Sequence, residues 1–171
     1  MKSIIKVFVL LGFVSIALTQ QSCGFYKFSG TSICQEVETF SVAFFENNAS
    51  IVNPLLSQNI TEQLKQKFIS ETNLSITETE GDFSFSGTIT NYTVAPISAQ
   101  SDDNASMNRL TISVEVKLVC PKCPESAFEQ TFTNFQDFDA AENFSDVEEG
   151  LIEDISDMLV QSIFNKAAIN W

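Results

Sequence analysis

The four cysteines of this 171-residue chain offer the most chemistry. Cys120 and Cys123 form a Cys-Pro-Lys-Cys motif, a spacing used for local disulfides, redox sites and halves of zinc sites. In thioredoxin-like redox sites the first cysteine lies at a helix amino terminus, whereas this motif falls in a predicted turn between two strands. The pattern therefore favours a disulfide between Cys120 and Cys123, or two free thiols at a turn. Cys34 then has no partner, unless it bonds to Cys23.

The other residue types argue against catalysis. Histidine is absent, which removes the usual general base and the usual zinc ligand. Three carboxylates lie close together at Asp137, Asp139 and Glu142, but they lack the spacing of a calcium loop. A solvated acidic loop ahead of a helix explains them better than an acid and base pair. We predict a protein that is not an enzyme and that holds no metal or cofactor.

The first 22 residues have the three-part form of an export signal. Two lysines precede an apolar run at residues 7–18, and four polar residues follow. A membrane-spanning helix needs about 20 apolar residues, so the run is too short to be one. Cleavage directly before Cys23 would produce a lipoprotein acylated on that residue, although Gln20 is unusual for such a signal. Cleavage at an ordinary signal-peptidase site would instead leave Cys23 free to pair with Cys34.

Charge and size limit the remaining classes. The formal net charge is −13, and removal of the two lysines in residues 1–22 makes it −15. Nucleic-acid phosphates and anionic headgroups are bound by Lys and Arg, so both are excluded as electrostatic partners. Residues 23–171 suffice for one domain with its own core, and sixteen phenylalanines argue against disorder.

Two helices are predicted from apolar stripes. Leu56, Ile60, Leu64 and Phe68 recur every fourth residue behind an Asn53-Pro54 start. A longer stripe between Val147 and Phe164 follows a capping-box spacing at Ser145 and Glu148.

Strands are predicted from alternation over residues 40–45, 73–79, 83–94, 109–118 and 127–138. The clearest is 109–118, with one apolar and one polar face. A polar loop, residues 96–108, precedes it. The order strand, helix, run of strands, helix predicts an α+β fold, in which two amphipathic helices pack on one face of a mostly antiparallel, about four-stranded sheet.

Six collinear stretches resemble the LptE family of lipopolysaccharide-assembly lipoproteins, in the form found in Bacteroidota. They read SCGFYKFSGTSI, VNPLLSQNITEQLKQKF, GDFSFSGTITNYTVAP, NRLTISVEVK, FEQTFTNFQDFD and LIEDISDMLVQSIFNKAAINW. The resemblance implies a lipoprotein on the periplasmic side of the outer membrane, anchored by an acylated Cys23. It also implies a plug within the β-barrel LptD that supports barrel assembly and the transport of lipopolysaccharide, a candidate ligand. The family fold, two helices on a four-stranded sheet, agrees with the predicted order.

Docking within a barrel would need a sheet face or loop tips that meet the wall. The candidates are Arg109 and Lys117 on the polar side of the clearest strand, and Asp102, Asp103 and Asn104 in the polar loop. Plain solvent exposure is the competing explanation for all five. The alternative function is a secreted or periplasmic module that binds a small apolar ligand between helices and sheet.

Overall fold

The computed structural model describes residues 32–97 and 106–169. The elements, in chain order, are β1 (Thr39–Val42), β2 (Glu46–Asn47), α1 (Pro54–Glu71), β3 (Ser75–Ile76), β4 (Phe83–Ile97), β5 (Met107–Val119), β6 (Phe128–Asp139) and α2 (Phe144–Ala168). A short 3-10 turn, Pro124–Ser126, precedes β6. Some predicted features lie outside the described residues. They are the leader at 1–22, Cys23 and the three loop candidates Asp102, Asp103 and Asn104.

The sheet is mixed and has six strands, in the order β3-β1-β4-β5-β6, with β2 also on β4. Its centre is the long antiparallel set β4, β5 and β6. The short strands β1 and β2 run parallel to β4, and β3 runs parallel to β1. The α+β class is therefore confirmed, whereas the prediction of about four mostly antiparallel strands missed the parallel additions. Parallel neighbours need a crossover, which α1 supplies between β1 and β3.

A bulge in β4 changes which side chains face the core. Phe83, Phe85 and Ile89 are buried at odd positions, and the register then shifts between Ile89 and Asn91. Beyond the shift the even-numbered Tyr92 faces inward and is 1% exposed. An extra residue in one strand reverses the alternation that follows it, so simple period-two reading fails here.

Helix α1 begins as predicted. The Asn53 side chain accepts a hydrogen bond from the Leu55 N–H, and Pro54 occupies the first turn. All four stripe residues of α1, Leu56, Ile60, Leu64 and Phe68, have no exposed surface.

The predicted capping box at α2 is wrong. The helix cap is Asn143, and Ser145 lies inside the first turn. Glu148 points instead toward the other helix: its Oε1 accepts hydrogen bonds from Asn53 Nδ2 at 2.9 Å and from the Tyr92 hydroxyl at 2.6 Å. Burial, together with the bond to Glu148, raises the pKa of the Tyr92 phenol. Glu148 thus accepts from two distant donors and takes no part in a local cap.

The two helices run parallel over one face of the sheet. Their amino ends meet at the Asn53 to Glu148 bond, and their carboxyl halves meet where Phe68 packs edge-on against Phe164. The Phe68 ring also lies 5.4 Å from Phe40 and 4.9 Å from Phe85, measured between centroids. This aromatic cluster fills the space between helices and sheet.

The early strands are shorter than predicted. The predicted strand 40–45 ends early, because β1 stops at Val42. Phe44 was predicted to lie on the apolar face of that strand, but its side chain is 62% exposed. Phe45 is buried instead of Phe44. Its ring packs directly against Gly87, in the space that a side chain at position 87 would need. Of the predicted strand 73–79, only Ser75–Ile76 pairs in the sheet.

Candidate partner-binding surface

The face of β4, β5 and β6 opposite the helices is uncovered by any other described element. Its side chains are mostly small and polar: Ser84, Ser86, Thr88, Asn91, Thr93, Thr111, Ser113, Glu115, Thr131 and Thr133. Phe135 and Val119, at 45% and 42% exposure, are the large apolar side chains that it exposes within the described part. The surface is thus a wide hydroxyl-bearing sheet, which we call the outer face.

Arg109 lies on the outer face, as predicted, and is held by two neighbours. Its Nε and a terminal nitrogen donate to the two carboxylate oxygens of Asp137 at 2.6 and 2.9 Å. Its guanidinium carbon lies 3.7 Å from the centroid of the Phe135 ring. Arg109 holds the pKa of the Asp137 carboxyl below its usual range, and the same bond raises the pKa of Arg109. A partner would therefore meet a preformed guanidinium and carboxylate pair rather than a free cation.

Lys117 also lies on the outer face, near its other end. Its Nζ is 3.1 Å from a carboxylate oxygen of Glu129, and both side chains are more than half exposed. An exposed pair of this kind contributes little to stability, so both groups stay available to a partner.

The predicted loop 96–108 is shorter than its polar composition indicated. Strand β4 continues to Ile97 and β5 starts at Met107, and these two residues face each other in the ladder. Ile97 and Met107 therefore mark one end of the longest hairpin in the described structure.

The opposite end of the sheet is cross-linked, and the predicted disulfide is wrong in its partner. Cys123 is bonded to Cys34, 89 residues earlier, and Cys120 is a free, buried thiol. Cys120 continues the inward positions of β5, and its sulfur accepts the Cys123 N–H at 3.1 Å. The turn directs the Cys123 side chain toward Cys34, near the start of the described chain. Burial raises the pKa of the Cys120 thiol, which keeps it protonated.

Asp82 completes this cross-linked end. One carboxylate oxygen accepts the backbone N–H groups of Glu38 and Thr39 at 3.0 Å, and the other lies 2.8 Å from Lys122 Nζ. Lys122, and then the Glu38 N–H, hold the pKa of the Asp82 carboxyl well below its usual range. Together with Ser32, whose N–H donates to the Ala168 carbonyl at 2.7 Å, these contacts fix the start of the described chain.

Two members of the acidic trio have partners within the fold. Asp137 is paired with Arg109 on the outer face, while an Asp139 carboxylate oxygen accepts the Ala141 N–H at 2.8 Å and so closes a turn. Ligand atoms of Cys34, Cys123 and Glu125 lie within 4.8 Å of one another, but both sulfurs are consumed by the disulfide. The structural contacts that sequence reasoning missed are those of Asp82, Glu148 and the Cys34 to Cys123 pair, because each joins distant segments.

An open cleft of about 890 Å³ lies beside β1. Its lining is mixed and includes Glu78, Glu80, Ser84 and Ser86. It also includes Lys65 of α1 and Phe85 of β4, so the cleft lies at the edge of the sheet near α1 and is not an enclosed apolar cavity. Within the described ranges, neither helix is both long and apolar enough to span a bilayer.

Comparison with known proteins gives one family and a set of similar folds. The family model described as LptE, lipopolysaccharide-assembly, matches residues 37–167. No curated protein sequence matches this chain.

Solved structures share the fold at low sequence identity. A minor lipoprotein from Acinetobacter baumannii is 14% identical, with a TM-score of 0.50 over 77% of this chain and 92% of that one. A protein described as a neuraminyllactose-binding hemagglutinin homologue from Helicobacter pylori is 10% identical, with a TM-score of 0.52 over 82% of this chain and 88% of that one. These likenesses show the fold, and the family match shows the lineage. The chain belongs to the lipopolysaccharide-assembly family LptE.

Proposed function

We propose that this chain is a non-enzymatic assembly subunit and plug of the outer-membrane lipopolysaccharide translocon. Its partner would be an LptD-like β-barrel, and its anchor would be acyl chains on Cys23 at the periplasmic side. The observation that carries the proposal is the outer face, because its three long strands expose mostly hydroxyl and amide side chains. The interior of a large outer-membrane barrel is polar, so such a face suits its wall better than an apolar one would.

The anchoring geometry is compatible with this role. Cys34 is held at the cross-linked end of the sheet, and eleven positions separate it from Cys23. An extended chain of that length spans at most about 40 Å. The domain would therefore hang from the membrane by its cross-linked end, with the β4 to β5 hairpin tip pointing away from the attachment.

The chemistry of lipopolysaccharide contact is constrained by charge. The chain has nine basic residues against 22 acidic ones, and two of the basic residues, Arg109 and Lys117, lie on the outer face beside carboxylates. Phosphorylated lipid would therefore meet few unpaired cations on this face. We propose support of the barrel as the main role, with direct lipid contact secondary.

The alternative, a module that binds a small apolar ligand between helices and sheet, has less support. The Phe68 ring packs against Phe40, Phe85 and Phe164 in that interface and fills the space that a ligand would need.

Two measurements test the proposal. Mass spectrometry of the mature amino terminus should find a diacyl or triacyl modification on Cys23. Purification from detergent-solubilised outer membrane should recover a large β-barrel in fixed ratio with the chain. An unmodified terminus at another residue, or recovery of the chain as a soluble monomer, would contradict the proposal.

A further inference from the structure

Strand β6 forms an open edge of the sheet. It pairs with β5 on one side, and no other described element pairs with it on the other. The pairing with β5 runs without a register shift from Leu118 opposite Phe128 to Met107 opposite Asp139. The edge is therefore regularly paired and twelve residues long.

The ladder shows which backbone groups face outward. The Ala140 N–H donates to the Ser106 carbonyl at 2.9 Å, so even-numbered residues of β6 bond to β5. The N–H and C=O groups of the odd-numbered residues then point away from the sheet, at Glu129, Thr131, Thr133, Phe135 and Asp137. None of these backbone groups has a hydrogen-bond partner among the described residues. They form a row roughly 27 Å long with the spacing of a strand.

This edge lacks most of the usual protection against pairing. Natural sheets blunt their edges with short strands, bulges, proline or charged side chains, of which lysine is the most common. The opposite side of this sheet follows that rule, since β1, β2 and β3 have four, two and two residues. Strand β6 contains no proline, no lysine, no arginine and no bulge, and its charged side chains, Glu129, Asp137 and Asp139, are all acidic. The protection of this edge therefore consists of negative charge alone.

Charge indicates what kind of strand fits. Asp139 at the end of β6 and Asp154, which accepts from Gln136 at 3.3 Å, have no Lys or Arg within 4 Å among the described residues. A second copy paired antiparallel about Thr133 would set Glu129 opposite Asp137, and like charges directly opposite destabilise a sheet. A partner strand with basic side chains near Asp139 would neutralise the carboxylates that lack a cation, and it would avoid the pair of like charges.

We propose that the β6 edge is a strand-addition site for an extended segment of another polypeptide that carries Lys or Arg. Main-chain hydrogen bonds to the odd-numbered residues would hold the segment, and its cations would meet Asp139 and Asp154. This rests on the proposed function in one respect, that the segment belongs to the barrel partner.

The test uses one substitution and a designed probe. Thr133→Pro removes an outward N–H without removing a bond to β5, and Thr133→Ala is the matched control, because both lose the Thr133 hydroxyl bond to Ser113. The probe is a ten-residue peptide of alternating Thr and Val with three Lys, titrated into the solubilised full-length chain. A second peptide replaces each Lys with Glu.

We expect Thr133→Pro to weaken binding of the basic peptide by at least about tenfold and Thr133→Ala to leave it within about twofold. The acidic peptide should bind more weakly than the basic one. Equal binding to the wild type and Thr133→Pro, or equal binding of both peptides, would overturn the proposal. A wild-type dimer that Thr133→Pro converts to monomer would also overturn it, since the occupant would then be a second copy.

The barrel supplies an independent readout. In a co-purified complex, the amide hydrogens of Thr131, Thr133 and Phe135 should exchange more slowly than in the free chain. A barrel that co-purifies while these amides stay unprotected would contradict the strand addition and leave the proposed function standing. Failure of any barrel to co-purify would contradict the proposed function, and the peptide titration would still decide the edge.

Discussion

At the residue scale, the cysteines determine how the start of the domain is attached. The disulfide joins Cys34 and Cys123, which are 89 positions apart, and the buried Cys120 lies beside it as a free thiol. The motif spacing alone pointed to Cys120 and Cys123, because a turn brings them close. The partner actually used is distant in sequence, and nothing local to Cys34 indicates it.

Loss of this disulfide should be costly. Cross-linking a loop of this length restricts the unfolded chain, and removing such a bond costs about 2 to 5 kcal/mol. We expect Cys34→Ser to lower the melting temperature of the detergent-solubilised chain by roughly 5 to 15 °C. Reductant should lower the melting temperature of the wild type by a similar amount and leave that of Cys34→Ser unchanged. Alkylation followed by peptide mapping should find Cys120 labelled in the wild type only after unfolding, and labelling of Cys34 there would contradict the assignment.

Asp82 should make the stability of the fold depend on pH. Because its folded pKa lies below its unfolded pKa, its contribution is present above about pH 4 and is lost as the pH falls toward the folded value. We expect Asp82→Asn to be less stable than the wild type at pH 7, with the difference shrinking below about pH 4. Glu80→Gln, at an exposed neighbour without a side-chain bond in the described structure, is the control. A difference that stays constant down to pH 2 in thermal unfolding would refute this role.

At the element scale, local patterns predicted what lies on a single element and missed what depends on register. The stripe of α1 and the alternation of β5 are confirmed, because periodic burial on one element leaves a direct trace in sequence. The bulge after Ile89, the parallel pairing of β1 with β4, and the ion pair of Arg109 with Asp137 have no such trace. Of the candidate surface, the outward positions of Arg109 and Lys117 were predictable and their pairing was not.

Glu148 joins three elements, and its removal should loosen all of them. Glu148→Ala leaves the nearly fully buried Tyr92 hydroxyl without its acceptor and frees Asn53 Nδ2. We expect a loss of about 2 kcal/mol in the free energy of unfolding. The adjacent exposed residue gives the control, since Glu149→Ala should stay within about 0.5 kcal/mol. Equal melting temperatures for the two variants would show that the cluster does not stabilise the fold.

The glycines of β4 and α2 should respond in opposite directions. A methyl group on Gly87 would meet the buried Phe45 ring, so Gly87→Ala should destabilise by about 1 to 3 kcal/mol. Gly150 lies in the interior of α2 with open space around it, so Gly150→Ala should stabilise by about 0.5 to 1 kcal/mol. Thermal unfolding of both variants tests the packing of β4, and stabilisation by Gly87→Ala would contradict it.

At the scale of the whole molecule, the sheet has two different sides and two different ends. Helices and aromatic packing occupy one side, while the outer face offers polar side chains and the open β6 edge. The start of the described chain is fixed at the cross-linked end, and the paired strand ends Ile97 and Met107 lie at the other. This asymmetry suits a subunit that is tethered at one end and meets a polar wall with its sheet.

Site-specific photo-cross-linking tests the central claim most directly. A photoreactive amino acid replaces Ser113 at the centre of the outer face, and in a matched variant it replaces Asp157 on the exposed side of α2. After irradiation of intact cells, the Ser113 variant should form a covalent adduct with a large outer-membrane β-barrel, and the Asp157 variant should give at most a small fraction of that adduct. An adduct from Asp157 alone, or no barrel adduct from either position, would contradict the account.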